Sequence, residues 1–259
     1  MQWGKIKTLF IYLFLLLNVA LITNYLYTDY KNKVEHYEEK DAILTSLKND
    51  GIEIKEPEIG KKQLSYVKAV QKILSMPIAS TNEYDYSIDK EEKTLTITAK
   101  KPLANIKEEN YLEKINRFII SNVESGTAYS YIKTDNEKKE IIYYQQYEGL
   151  KIFENKNAII KFKINQNGDI LSLTQTSLTN FKKEKDETIV PYIDVIAKLY
   201  HENMIPKKSK VSSELGYYSF LRVENQILIP TYKVTIKKED NSEQVFYVDS
   251  LNAKILNKD

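Results

Sequence analysis

At 259 residues and 42% apolar, the chain is long enough for a membrane span plus one large or two small folded domains. Its 38 basic and 36 acidic residues leave a formal charge of +2 without a long single-sign block, which excludes an electrostatic footprint for nucleic acid. Cysteine is absent, which excludes disulfides, thiol catalysis and zinc ribbons, so burial and hydrogen bonding must hold any fold.

The run from Thr8 to Tyr27 carries no charge. As a helix it reaches about 30 Å, the thickness of a bilayer's hydrocarbon core. Lys5 and Lys7 precede it with no nearby acid, whereas Asp29, Lys31, Lys33 and Glu35 follow it. The positive-inside bias therefore assigns residues 1–7 to the cytoplasm, 8–27 to the span and the remainder to the extracytoplasmic side. Trp3 and Tyr12 near one boundary, and Tyr25, Tyr27 and Tyr30 near the other, suit the headgroup layer. A cleaved signal peptide is the competing reading. The run exceeds such a peptide's apolar region and ends without a small-x-small cleavage site, so an uncleaved anchor is expected. Within it, the amides of Asn18 and Asn24 are costly toward lipid and mark candidate contacts with a partner helix.

Residues 28–60 read as a helical stalk and linker, the helix running from Asp29 to Asp50 with Val34, Tyr37, Ile43, Leu44 and Leu47 at helical spacings and Gly51 and Pro57 ending it. A solvated spacer and a coiled-coil contact both remain open for it, because the apolar positions hold no strict heptad. Leu64, Val67, Val70, Ile73 and Leu74 predict another helix over Lys61 to Met76. Tyr84 to Ile88 and Thr94 to Ala99 alternate as a hairpin. A helix follows from Glu108 to Val123, then strands at Ala128 to Thr134, Glu140 to Tyr147, Asn157 to Ile164 and Ile170 to Thr176. The order returns after Pro191, with a helix carrying Val195, Ile196 and Leu199, then strands at Val211 to Val223, Ile227 to Lys237 and Gln244 to Asp249, and a short one near Lys254 to Leu256. The expected class is α+β: one N-terminal transmembrane helix, then two helix-plus-antiparallel-sheet units, at 61–183 and 184–259.

The phrases Gln145 to Ile152 with Asn165 to Leu171, and Tyr232 to Ile236 with Phe246 to Ile255, resemble the PepSY and peptidase-propeptide group of small modules. More specifically, Trp3 to Ile11 with Leu17-Asn18, and Leu215-Gly216-Tyr217-Tyr218-Ser219 with Gln226, Leu228, Pro230 and Tyr232, resemble the YycI family. That resemblance implies a membrane-anchored regulator that works with a YycH-type partner, as a heterodimer, on a sensor histidine kinase of YycG (WalK) type controlling cell-wall metabolism. The alternative, implied by the PepSY likeness, is an inhibitor or chaperone of an exported peptidase. Gly216, Tyr217 and Tyr218 are the candidate contact in the outer domain, since a glycine beside two aromatics fits a bulge or close approach at a strand edge.

No catalytic, cofactor-binding or metal site is expected. His36 and His201 are far apart, and the sequence after His201 lacks a zincin's second histidine. Neither a nucleophile elbow nor a glycine-rich phosphate loop is present. The adjacent acid pairs Glu38-Glu39, Glu91-Glu92 and Glu108-Glu109 lie in charged stretches and read as solvated faces.

Overall fold

The apolar run and the stalk form one helix, α1 (Trp3–Asn49), in the computed structural model, which describes residues 3–58, 60–75, 82–220 and 224–256. Its 47 residues reach about 70 Å. Lys7–Tyr25 is long and apolar enough to cross a membrane, and its large apolar side chains are 54–72% exposed. The side chains of Trp3, Lys5, Tyr27, Tyr30 and His36 lie outside the described residues.

Sixteen strands, two further α-helices and a one-turn 3-10 helix (Gly126–Ala128) follow in the described residues. In chain order they are β1 (Glu53–Lys55), β2 (Gln63–Leu64), β3 (Val67–Gln71), β4 (Tyr84–Asp89), β5 (Thr94–Ala99), β6 (Ala104–Asn105), α2 (Tyr111–Asn122), β7 (Tyr129–Asp135) and β8 (Glu140–Tyr147). Then come β9 (Leu150–Ile152), β10 (Ile159–Ile164), β11 (Asp169–Gln175), β12 (Leu178–Lys183), β13 (Glu187–Thr188), α3 (Tyr192–His201), β14 (Lys210–Tyr218), β15 (Asn225–Lys237) and β16 (Glu243–Asp249). The class is α+β, as the alternation and helical stripes require.

Each later helix covers one sheet face. The α2 stripe of Ile115, Phe118 and Ile119 packs on Leu95, Ile97, Ile141, Phe162 and Leu173. The α3 stripe of Val195, Ile196 and Leu199 packs on Val211, Tyr232, Val234, Phe246 and Val248. Pro191 stands immediately before α3 with φ −56°, the value its ring imposes. A smaller cluster gathers Ile142 and Tyr144 of β8, Tyr247 of β16, Phe153 just after β9 and Leu256.

Ten of the strands run in one hydrogen-bonded path, β12-β3-β15-β14-β9-β8-β10-β11-β5-β4; β1, β16, β6 and β7 pair with β14, β15, β11 and β8 beside it, and β2 and β13 form a separate pair. The short strand β9 links the halves, antiparallel to β8 and parallel to β14. A two-residue turn at Glu148-Gly149, with φ 49° and 81°, makes that link; positive φ at both positions matches the twist of a tight hairpin.

Three expectations are corrected. Lys61 to Met76 is not a helix: β2 and β3 occupy it, and Met76 lies outside the described residues. Here β3 is clamped antiparallel between β12 and β15, and ladder pairing with distant strands overrides the local three-residue spacing. The strand expected to Val223 ends at Tyr218, with 221–223 outside the described residues. The strand expected at Lys254 to Leu256 is a single bridge between Ile255 and Val248.

Candidate functional site

The end of α1 is built into the fold. Ile43 and Leu47, four residues apart and so on one face, are 5% and 1% exposed within the core that α3 covers. Gly51, at φ 70°, closes the helix: its N–H bonds to Lys48 O at 3.1 Å, and the Ile52 N–H bonds to Leu47 O at 2.9 Å. This is a Schellman ending, and the contact it brings is between Ile52 and Leu47, both buried in the same cluster. A solvated spacer therefore does not describe the stalk's last turns.

Asp50 ties this ending to two other segments. Its carboxylate accepts the Tyr200 hydroxyl at 2.9 Å and lies 2.9 Å from Lys207 Nζ, while its carbonyl accepts the Lys208 N–H at 2.9 Å. The Lys207 ammonium and then the Tyr200 hydroxyl hold the Asp50 carboxyl below its ordinary value. On the other side of the same helix end, Lys40, Ile43, Asp194, Lys198 and His201 border a cleft of about 330 Å³ between α1 and α3. Leu44 is 48% exposed on α1.

A second hub sits at the β8–β9 turn. The Glu148 carboxylate lies 2.7 Å from Lys61 Nζ and 2.8 Å from Lys183 Nζ, tying the turn to the segment before β2 and to β12. Lys183 and then Lys61 hold this carboxyl down to about 2, against an ordinary 4.5. Because the folded value is depressed, the stabilisation is present above about pH 4.5 and is lost as pH falls toward 2. At 36% exposure the side chain is screened by solvent, so Glu148→Gln is expected to cost no more than about 1 kcal/mol at pH 7. Thermal melts of both proteins between pH 7 and pH 2 check this. A gap in melting temperature that stays constant down to pH 2 would rule out the carboxylate as its source.

The sequence candidates fall in different places. Asn18 is half-buried and its Nδ2 donates to Phe14 O at 2.8 Å, whereas Asn24 is exposed. Lys7 is exposed. Gly216 marks a close approach: a Cβ there would stand 2.5 Å from the Phe153 ring and from Lys151 O, at the seam where β9 meets β14. Gly216 and Tyr217 lie on no free strand edge, because β15 pairs β14 on one side and β9 pairs it at these two residues on the other. Tyr217 is 1% exposed and packs edge-on against Tyr147, so it presents no surface to a partner. Tyr218 is half-buried and stacks on Tyr247 at 4.4 Å. Sequence reasoning did not find Asp50 or Glu148; an acid beside the helix-ending Gly51 and another beside the turn-forming Gly149 were the signals available.

Among the described residues, no group of three or more His, Cys, Asp or Glu is placed to hold a metal. No curated protein matches the chain. Among solved structures it is similar to an uncharacterized protein from Eubacterium rectale at 8% identity, with TM-score 0.47, covering 81% of this chain and 92% of that one. It is similar also to the C-terminal domain of Bacillus megaterium YpeB at 10% identity, with TM-score 0.43, covering 83% and 93%. The third is YycH from Bacillus subtilis at 9% identity, with TM-score 0.38, covering 70% of this chain and 52% of that chain. The YycI protein family matches residues 31–251, from the stalk to just beyond β16. The chain therefore belongs to the YycI family of regulatory accessory proteins.

Proposed function

We propose that this protein is a membrane-anchored accessory regulator of a sensor histidine kinase of YycG (WalK) type, acting with a YycH-type partner in control of cell-wall metabolism. In this reading Lys5 and Lys7 hold the amino end in the cytoplasm, 8–27 spans the membrane, and the α+β region lies outside. The observation that carries the reading is the uninterrupted α1, whose apolar half suits a bilayer and whose last turns are buried in the folded core. A helix fixed at its far end moves with the body that holds it, so a tilt or rotation of the outer region reaches the span without a flexible joint. A propeptide-like inhibitor needs only a tether and gains nothing from that continuity.

Two alanines inserted within residues 30–38 test the reading, because they turn the span by about 200° relative to the outer region and add about 3 Å. The expected result is unchanged membrane insertion and melting temperature with altered expression of the kinase's target genes. Unchanged expression would show that rotational continuity is irrelevant. Asn18 is the proposed contact within the span: with one amide N–H bonded to Phe14 O, its side-chain carbonyl and second N–H would serve a neighbouring helix. Asn18→Leu is expected to weaken co-purification of the kinase by about 0.6–2 kcal/mol and Asn24→Leu by less, Asn24 lying nearer the interface.

A further inference from the structure

The helix α2 covers the sheet only as far as β4, the outermost strand on that end of the path, and a cleft of about 440 Å³ opens where the two meet. Its floor is apolar. Tyr84, the first residue of β4, meets Phe118 of α2 edge-on at 5.4 Å between ring centroids, and half-buried Leu103 from the loop before β6 lines the same cleft. Its rim is cationic. Lys100 and Lys101 are exposed there and make no ion pair among the described residues, and Lys114 adds a third ammonium, paired at 2.7 Å with Glu108 outside the lining. Glu83 is the one acid in the lining, and its backbone carbonyl accepts the Lys100 N–H at 3.0 Å.

The size lies within the range of small-molecule sites, and so does the combination of an apolar floor with a few charged groups at the mouth. An inorganic anion would meet only solvent-screened ammonium groups, and a neutral hydrocarbon would leave the rim unused. A molecule with an apolar body and one anionic head satisfies both parts. We infer that the cleft between α2 and β4 binds an anionic amphiphile, a carboxylate or phosphate monoester carried on a short hydrocarbon or aromatic body. Such a head belongs equally to a membrane lipid or to a free small acid.

The test is calorimetric titration of the full-length protein in phosphatidylcholine nanodiscs, with empty discs subtracted, using hexyl phosphate, inorganic phosphate and hexanol. Hexyl phosphate is expected to bind saturably and about tenfold more tightly than either comparison compound. The surface variant Lys100→Gln/Lys101→Gln is expected to weaken it about fivefold with an unchanged melting temperature. Tyr84→Ser, on an edge strand, is expected to weaken it through the floor. Phosphatidylglycerol in the disc will compete if the lipid is the source and leave binding intact if a free acid is; with saturable binding, either result supports the site. No saturable hexyl phosphate signal, equal binding of inorganic phosphate, or undiminished binding by the double lysine variant would overturn it.

Discussion

Replacing Leu47 with alanine is expected to lower the stability of the folded region by about 2–5 kcal/mol, although the residue belongs to the helix that continues into the apolar span. Leu47 is 1% exposed and shares its cluster with Ile43, Ile52, Val195 and Leu199, so its truncation leaves a void that the surroundings fill only in part. The neighbouring Leu44, 48% exposed, supplies the control: Leu44→Ala should change stability by about 0.5 kcal/mol or less. Urea unfolding of the full-length protein, followed by tyrosine signals in the near ultraviolet, separates the two. Equal effects of the two substitutions would show that the stalk merely leans on the domain.

Tyr217→Ala is expected to cost about 3–5 kcal/mol, in the range of buried aromatic truncations, and Tyr218→Ala clearly less. Tyr217 packs with Ile152, Ala158, Leu178 and Leu228, and burial pushes its phenol above the ordinary 10.0. Tyr218 keeps part of its ring in solvent and stacks on Tyr247. The decisive measurement pairs melting temperature with binding of a YycH-type protein. A Tyr217→Ala protein that melts like the parent yet fails to bind would return this side chain to the interface.

What could be read from the sequence was what local periodicity encodes. The stripe Ile115, Phe118, Ile119 and the alternation Leu95, Ile97, Ala99 each have a solvent side and a core side within one element, and the structure buries those residues. The spacing of Leu64, Val67, Val70 and Ile73 is shared by a helical face and by two short strands joined through Ser65 and Tyr66. Ile73, inward in the helical reading, is 66% exposed. The partners that decide the matter, Leu178 to Lys183 and Asn225 to Leu228, are far along the chain. The sites were less legible for the same reason. Tyr84 and Phe118 each lie in the kind of element their local pattern predicts, yet nothing local says that their rings meet or that Lys100 and Lys101 stand beside them. Gly216 was legible as a close approach, but the approaching group, Phe153, belongs to a seam that only the assembled path of strands creates.

The long strand β15 imposes an order of events on synthesis. It pairs with β3, β14 and β16, and its Tyr232, Val234 and Ile236 complete the cluster that encloses Ile43 and Leu47. A chain translated as far as residue 220 has an anchor helix already able to enter a bilayer, but it lacks the strand on which its stalk end rests. Contacts between such distant segments form late, after loop closure has been overcome, and leave apolar surface open in the interval. In the proposed topology, membrane entry therefore precedes folding, and the nascent polypeptide is tethered by α1 while it awaits β15. In that topology tethering keeps unfinished copies apart from the soluble pool, and a chain stalled before β15 keeps the apolar face of its stalk end, Ile43 and Leu47, uncovered by Tyr232, Val234 and Ile236.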